Sequence, residues 1–255
     1  MNVRAEQMEK GEIPNVVPYL KSYKTMANVT TKFHTSCGWG DTVEQVPLTL
    51  YREYGDKRVL EENYPAMKRW INYIKERAWN HHPEEYETWD KEHQERSHYL
   101  WNTDFHYADW LFPSMVLGNP DGTAMIQTAR QTMRYVAPAY FANTAATMAE
   151  IAEILGQTED AKEYRQLYEK IREAFIEEYV SKDGTLEKEL QGLYVIALKN
   201  HLCQKELQPK MAAHLNEMIQ ENDNCLDTGF LSVHYLLDVL CENGYRDTAY
   251  KILFQ

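Results

Sequence analysis

The sequence lacks both a long apolar run and an excess of positive charge. No stretch of about 18 residues is apolar enough to suggest a membrane-spanning helix. The 27 Lys and Arg are outnumbered by 39 Asp and Glu, which gives a net charge of -12. Because nucleic acids and anionic membranes are bound through clustered Lys and Arg, we expect neither as a partner. The N-terminus lacks the layout of a secretory signal, so we expect a cytoplasmic protein or one exported by a signal outside this chain.

Metal-binding and nucleotide-binding motifs are also missing. The cysteines form no CxxC pair, which predicts four buried free thiols in a reducing compartment: Cys37, Cys203, Cys225 and Cys241. The histidines between residues 80 and 106 include no HExxH pair, so we predict surface or core histidines and no metal. There is no GxGxxG, P-loop or GxSxG motif, which leaves a nucleotide-binding or serine-hydrolase function without support.

The sequence is rich in aromatic residues and in helical periodicity. Its 18 Tyr and six Trp suit both core edges and sugar-binding grooves. Apolar residues recur at helical spacing over 60–74 and 164–175, whereas alternating Val and Ile runs are nearly absent. We therefore predict an all-α fold. Further helices are expected over about 138–155, 187–201, 206–220, 229–241 and 245–254.

Three junctions share one layout, in which a glycine is followed by a short polar turn and a new helical face. Gly55, Gly156 and Gly244 are predicted to end helices in the left-handed conformation, with Asp56 or Thr158 capping the next helix. These junctions predict recurring antiparallel helical hairpins. They do not lie at a fixed short period, which argues against a tandem solenoid.

Residues 80–123 interrupt this pattern. The segment contains three tryptophans, five histidines and scattered acidic residues, and it ends in the predicted turn GNPDGT at 118–123. Because disordered segments avoid aromatic residues, we predict an ordered functional loop.

Carboxylates close to tryptophans are the strongest indication of chemistry. Glycoside hydrolysis needs one carboxylic acid and one carboxylate, together with aromatic surfaces that hold the sugar. Two places offer this combination: Trp39 with Asp41 and Glu44, and Asp104 with Asp109 and Trp110. Each place also has a purely structural interpretation. Asp41 suits a helix N-cap, and Trp110 suits core packing.

Four blocks of the sequence, taken in order, resemble the catalytic domain of bacterial α-L-rhamnosidases. They are GEIPNVVPYL (11–20), CGWGDTVEQVPLTLYREYGDKRVLEENYPAMKRWINYI (37–74), FHYADWLFPS (105–114) and LDTGFLSVHYLLDVLCENGYRDTAYKIL (226–253). The resemblance implies an (α/α)6 barrel of six helical hairpins, of which residues 1–255 would form the central part as a single all-α domain. It also implies an inverting glycoside hydrolase that acts on terminal α-L-rhamnosyl residues of a glycoside or polysaccharide, without a metal or organic cofactor.

The same resemblance assigns substrate-binding residues. By the GWGD motif, Trp39 and Asp41 face the sugar-binding pocket. By the YADWL motif, Trp110 does the same, with Asp109 beside it. Glu44 receives no catalytic role, because members of the family often have a small residue there.

The sequence departs from the family's pattern in lacking two motifs. The family's general acid lies in an ER.GWTGD-type motif upstream of the first block, and its general base lies downstream of the last; neither motif occurs here. We therefore expect about four of the six hairpins, unknown catalytic residues and no hydrolase activity from this chain alone. We also expect self-association through apolar helix faces left exposed.

Two alternatives remain open from the sequence. LGQTEDAKEYRQLYEKIREAF (155–175) is similar to a tetratricopeptide helix pair, which would indicate an interaction scaffold. Alternatively, a six-hairpin hydrolase could act on another sugar, such as a glucuronide or a different deoxyhexose, because a fold does not determine the substrate.

Overall fold

The computed structural model describes residues 2–19, 35–117 and 123–254, and this part of the chain is helical. It contains no β-strand, only one isolated bridge between Val180 and Leu186. The all-α prediction is confirmed. The chain divides into two compact units: Met1–His106 with Tyr140–Ile171 (unit 1), and Tyr107–Ala139 with Arg172–Gln255 (unit 2). The single domain over 1–255 stays a prediction.

The helices are numbered here in chain order. Unit 1 contains α1 (Asn2–Glu6), α2 (Thr42–Tyr54), α3 (Arg58–Asn80), a 3-10 helix (Glu84–Thr88) and α4 (Lys91–Ser97). Unit 2 contains α5 (Pro113–Val116), α8 (Gln191–Lys199), α9 (Gln208–Glu221), α10 (Val233–Glu242) and α11 (Arg246–Leu253). Two long helices, α6 (Ala124–Ile154) and α7 (Thr158–Tyr179), contribute residues to both units.

The predicted glycine junctions are confirmed. Gly55, Gly156 and Gly244 have φ of 70°, 72° and 90°, the left-handed region that a side chain disfavours. After Gly156 the Gln157 N–H donates back to the Ala152 carbonyl at 2.8 Å, which satisfies a carbonyl in the last turn of α6. Three pairs of consecutive helices pack against each other: α2–α3, α8–α9 and α10–α11. The turn at Gly156 joins a fourth pair, α6 and α7, and Arg165 of α7 forms an ion pair with Glu153 of α6 across it. These four connections agree with the expected number of about four hairpins.

Neither predicted residue occupies a helix N-cap position. The N-cap of α3 is Lys57, although the Asp56 carboxylate just before it accepts a hydrogen bond from the Arg58 N–H at 3.0 Å. Thr158 is instead the first residue of α7.

One helix is much longer than its pattern suggested. The prediction that a helix begins near residue 138 is wrong, because α6 begins at Ala124 and contains Pro138 in its interior. Proline is favoured in a first helical turn and disfavoured inside a helix, so Pro138 resembles a start signal. The core of unit 1 agrees better with the periodicity, since Leu60, Met67 and Ile71 of α3 are all buried.

The described part of the segment 80–123 contains a 3-10 helix and the short helices α4 and α5, joined by loops, where one ordered loop was predicted. Most of the GNPDGT turn lies outside the described residues, and a functional role of the segment stays a prediction. The expectation of four buried thiols is wrong for two of them. All four are free, but Cys225 and Cys241 are exposed, in a turn after α9 and on the solvent side of α10. None of the described helices is long and apolar enough to cross a membrane.

Candidate functional site

The Asp41 carboxylate is a buried hydrogen-bond acceptor in unit 1. Its Oδ2 accepts from the Gly38 N–H at 2.7 Å, and its Oδ1 accepts from Trp70 Nε1 at 2.8 Å and from the Thr144 hydroxyl at 3.0 Å. Asp41 is 1% exposed. It occupies the N-cap position of α2, yet its side chain accepts no capping hydrogen bond from that helix. The carboxylate therefore attaches the loop that carries Trp39 to α3 and α6.

The two glycines of the GWG sequence have separate steric reasons. Gly38 has φ of 79°, which favours a residue without a side chain. At Gly40 a Cβ atom would lie 2.3 Å from Cη2 of Trp70, so only glycine lets that indole approach. The Trp70 ring in turn stacks on Tyr73, with ring centroids 5.7 Å apart, and meets Trp101 edge-on at 5.9 Å. The loop thus rests on an aromatic core.

Glu44 lies beside Asp41 and is also buried. The Thr144 hydroxyl lies 3.0 Å from Asp41 Oδ1 and 3.2 Å from Glu44 Oε1, and its single proton can serve one of them at a time. Burial raises the pKa of Asp41 to about 6. Burial and the neighbouring Asp41 raise the pKa of Glu44 well above its usual range. Two carboxyls this close do not both ionise readily, so the pair favours at least one proton near neutral pH.

The histidine nearest this loop is structural. The Nδ1 atom of His106 accepts from the Cys37 N–H at 3.1 Å, and its Nε2 donates to the Thr103 carbonyl at 3.1 Å. Burial lowers the pKa of His106 to about 4, so the ring is neutral. This agrees with the prediction of surface or core histidines. In the described residues no group of three His, Cys, Asp or Glu is placed to hold a metal.

Asp104, one of the candidate carboxylates, is held in an ion pair. It accepts from Arg77 Nε at 2.9 Å and from Trp101 Nε1 at 3.1 Å, with a second Arg77 contact through Nη2. Burial opposes its ionisation, but these hydrogen bonds outweigh burial and hold the pKa of Asp104 below its usual range. Asp104 lies in unit 1, whereas Asp109 and Trp110 lie in unit 2.

The Asp109 carboxylate organises unit 2 in the way that Asp41 organises unit 1. Its Oδ1 accepts from the Leu231 and Ser232 N–H groups at 2.9 and 2.8 Å. Its Oδ2 accepts from the Gly229 N–H at 3.0 Å and from the Ser232 hydroxyl at 2.6 Å. Asp109 is 1% exposed, and burial raises its pKa although the four hydrogen bonds oppose the shift. The YADWL and DTGFLS blocks are thus joined through one side chain.

Glycines make this contact possible from two sides. A Cβ atom at Gly192 would lie 1.9 Å from Asp109 Oδ2, and one at Gly229 would lie 2.2 Å from the Asp109 carbonyl oxygen. The Phe230 N–H also donates to the Trp110 carbonyl at 2.9 Å. Any larger residue at 192 or 229 would force the two blocks apart.

The two tryptophans that were predicted to face the sugar are only partly buried. Trp39 and Trp110 both have intermediate exposure, and the Trp110 ring lies against Tyr107 with centroids 4.7 Å apart. Each is next to a buried carboxylate that fixes its loop, Asp41 for Trp39 and Asp109 for Trp110. Contact of these four residues with a sugar stays a prediction.

Sequence reasoning missed the partners of both carboxylates. Thr144 lies 103 positions from Asp41, and Ser232 lies 123 positions from Asp109. No periodicity connects such distant positions. The only signal for the second pair was the presence of both YADWL and DTGFLS in the recognised blocks.

Comparison with known proteins finds α-L-rhamnosidases both by sequence and by structure. The family described as bacterial alpha-L-rhamnosidase 6 hairpin glycosidase domain matches residues 1–255. An alpha-L-rhamnosidase of Formosa agariphila is 32% identical over 255 residues, which cover 99% of this chain and 24% of that protein. An alpha-L-rhamnosidase of Alteromonas sp. is 31% identical over 257 residues, covering 100% of this chain and 24% of that protein.

The solved structures that this chain resembles are α-L-rhamnosidases as well. The Streptomyces avermitilis alpha-L-rhamnosidase complexed with L-rhamnose has a TM-score of 0.75 at 30% identity, covering 100% of this chain and 20% of that one. The native Aspergillus terreus enzyme has a TM-score of 0.77 at 27% identity, covering 100% and 26%.

These matches decide between the interpretations that the sequence left open. The chain spans about a quarter of the length of the curated relatives it matches. The tetratricopeptide scaffold and a six-hairpin hydrolase for another sugar are both disfavoured, because the matched sequences and structures are α-L-rhamnosidases. The chain belongs to the bacterial α-L-rhamnosidase six-hairpin glycosidase domain family.

Proposed function

We propose that this chain is a portion of an inverting α-L-rhamnosidase and that it supplies loops that hold the substrate. The observation that carries the proposal is the shared construction of two loops, in which a partly exposed indole follows or precedes a buried aspartate. The relatives support the choice of sugar, since they are named alpha-L-rhamnosidases and one was solved with L-rhamnose. The substrate would be a glycoside or polysaccharide with a terminal rhamnosyl residue.

In this proposal each of the two indoles contacts a sugar ring of the substrate. A pyranose has an apolar C–H face that packs on an aromatic ring, and by analogy with aromatic pairs each contact contributes about 0.5–1.5 kcal/mol beyond burial of area. Trp39 and Trp110 each have exposed surface for such a contact.

Asp41 and Asp109 would act as positioning residues. An inverting hydrolase needs a general acid and a general base about 6.5–9.5 Å apart, with room for water between them. Each must reach the leaving oxygen or the attacking water. Asp41 and Asp109 are almost wholly buried, and both of their oxygens accept hydrogen bonds from the surrounding loops and helices. We therefore propose that other carboxyl groups provide the acid and the base.

The first test is an assay of the 255-residue chain with p-nitrophenyl α-L-rhamnopyranoside. We expect no release of p-nitrophenol. Release that disappears in Asp41→Asn, with the fold retained by circular dichroism, would place the bond-breaking carboxylates in this chain and contradict the assigned roles.

The second test addresses the substrate. In the Streptomyces avermitilis relative, the segment that matches this chain is exchanged for residues 1–255. A chimera that melts cooperatively should hydrolyse the aryl α-L-rhamnoside in preference to aryl glucuronide and aryl fucoside. A folded chimera that prefers either of the other two would overturn the proposed substrate.

A further inference from the structure

We propose that unit 1 contains a second carbohydrate-binding site, a cleft around Trp79 that takes one pyranose ring of a glycan chain. The cleft lies among α3, α4, α6 and α7, and none of its lining residues belongs to the loops of Trp39 or Trp110. It goes beyond the proposed function, because a ring could bind here whether or not the chain takes part in hydrolysis.

Trp79 forms a rigid, exposed aromatic surface. It lies in the last turn of α3 and is 53% exposed, although tryptophan is normally mostly buried. The His98 ring stacks on it with centroids 4.3 Å apart and planes at 21°, and His98 Nδ1 donates to the Trp79 carbonyl at 3.1 Å. Tyr99 meets the indole edge-on at 6.5 Å. With one face covered and its position held, the indole loses little entropy when a ligand packs on its open surface.

The floor of the cleft is apolar and its rim is polar. Phe141 and Leu167 are buried beneath it, and the cleft has a volume of about 240 Å³. The rim is formed by Lys75, Glu163, Gln166 and Lys170. Drug-sized ligands occupy pockets of about 300–1,000 Å³, so this smaller cleft suits a single sugar ring.

The rim groups are arranged to hydrogen-bond hydroxyls. Lys170 is positioned by Tyr99, to whose hydroxyl it donates at 3.1 Å and over whose ring it lies at 5.2 Å. The exposed Gln166 carboxamide makes no hydrogen bond to any residue that the structure describes, and it offers both a donor and an acceptor.

Charge excludes other occupants. Lys75 pairs with Glu163 at 2.7 Å, which leaves the positive charge of Lys170 unbalanced at the rim and disfavours a cationic ligand in spite of the aromatic rings. Glu163 and the net charge of -12 disfavour nucleic acid. A ring with one apolar face and a rim of hydroxyls matches an open indole beside an amide and an ammonium group.

The test uses 19F NMR of the full chain labelled with 5-fluorotryptophan, which gives one signal for each of six tryptophans. The Trp79 signal is assigned by its loss in Trp79→Phe. The probes are L-rhamnose, D-galacturonic acid, D-xylose and D-glucose, each titrated to the millimolar range in which weak sites saturate. We expect the Trp79 signal to shift and saturate with at least one probe. In Trp79→Ala, which lacks this signal, the affinity for that probe measured by isothermal titration calorimetry should fall at least tenfold, and in Gln166→Ala it should fall several-fold.

The control is Phe254→Ala, which removes another highly exposed aromatic ring, just after α11 and outside the cleft, and should leave the affinity unchanged. The proposal is overturned if none of the four sugars shifts the Trp79 signal. It is also overturned if the affinity is unchanged both in Gln166→Ala and in a folded Trp79→Ala. The signals of Trp39 and Trp110 report separately on the proposed function, so either proposal can fail without the other.

Discussion

Asp109 is the side chain on which the loop packing of unit 2 depends most. In Asp109→Ala four donors, three of them backbone N–H groups, would lose a buried acceptor. Each unsatisfied buried donor costs about 1–3 kcal/mol, so we expect the free energy of unfolding to fall by about 4 kcal/mol or more. Asp109→Asn keeps one acceptor oxygen and should lose less.

Denaturant unfolding followed by circular dichroism measures this difference. The matched control is Asp238→Asn, an exposed aspartate of α10, which should change stability by less than about 0.5 kcal/mol. If Asp109→Ala costs no more than the control, the carboxylate does not hold the two blocks together.

The buried carboxyl group of Asp41 should make the free energy of unfolding depend on pH. Its pKa rises from 3.8 to about 6 on folding, so the folded state binds its proton more tightly than the unfolded state. The stabilisation by protonated Asp41 is fully present below about pH 4 and is lost as the pH rises through about 6. Two pKa units correspond to about 3 kcal/mol.

Asp41→Asn cannot titrate at this position, so the stability of the native chain minus that of the variant should fall between about pH 4 and pH 7. Thermal or denaturant unfolding at several pH values measures this difference, and Asp238→Asn again provides the control. A difference that stays flat or rises with pH would mean that burial of Asp41 does not dominate its titration.

Asp41 and Asp109 could be identified from the sequence as candidate site residues, but the groups that surround them in the fold could not. The GWGD and YADWL motifs identify Asp41 and Asp109 as candidate substrate-binding carboxylates close to tryptophans. That both are saturated with hydrogen bonds depends on Thr144 and Ser232, which only the folded chain brings near. A carboxylate that holds a loop and a carboxylate that faces a ligand look alike in a sequence.

Alanine substitutions at the glycines are expected to destabilise the fold for two different reasons, backbone conformation in a hairpin turn and steric collision in a packed contact. A methyl group at Gly156 would meet nothing within 4 Å, so Gly156→Ala carries only the left-handed backbone penalty of about 1–2 kcal/mol. At Gly192 and Gly40 a methyl group would collide with Asp109 and with the Trp70 ring, and the cost is steric.

We therefore expect Gly192→Ala and Gly40→Ala to lose more stability than Gly156→Ala, with losses at the upper end of the cost of overpacking, about 3 kcal/mol or more. Gly156→Asn should restore part of the loss in the hairpin turn, because asparagine tolerates the left-handed conformation better than alanine does. Equal losses in all three alanine variants, measured by denaturant unfolding, would contradict the steric explanation.

The helical hairpins were the best predicted part of the molecule. Glycine caps and helical periodicity are local signals, so the turns at 55, 156 and 244 and the core face of α3 could be identified from the sequence alone. The start of α6 could not, because a single proline has opposite meanings in the first turn and in the interior of a helix. Packing around α6 outweighs that local preference.

Exposed apolar side chains predict how the whole chain behaves in solution. Val46, Leu50 and Tyr54 follow one stripe of α2 at intervals of four residues, and all three are exposed. Contiguous apolar surface favours association, so we expect the sedimentation coefficient to rise with protein concentration. Leu50→Glu should weaken this association.

Gln220→Glu provides a control with the same change of charge at an exposed position of α9. Analytical ultracentrifugation compares the two variants with the native chain. A concentration-independent monomer, or equal effects of the two substitutions, would show that the α2 stripe does not mediate self-association.

Binding of L-rhamnose by the folded 255-residue chain tests the central claim most directly. Isothermal titration calorimetry should give a saturable isotherm whose dissociation constant rises at least tenfold in Trp39→Ala and in Trp110→Ala, while Tyr54→Ala binds like the native chain. A folded chain that does not bind L-rhamnose, or that binds it equally well without both indoles, would contradict the assignment of these loops to the sugar.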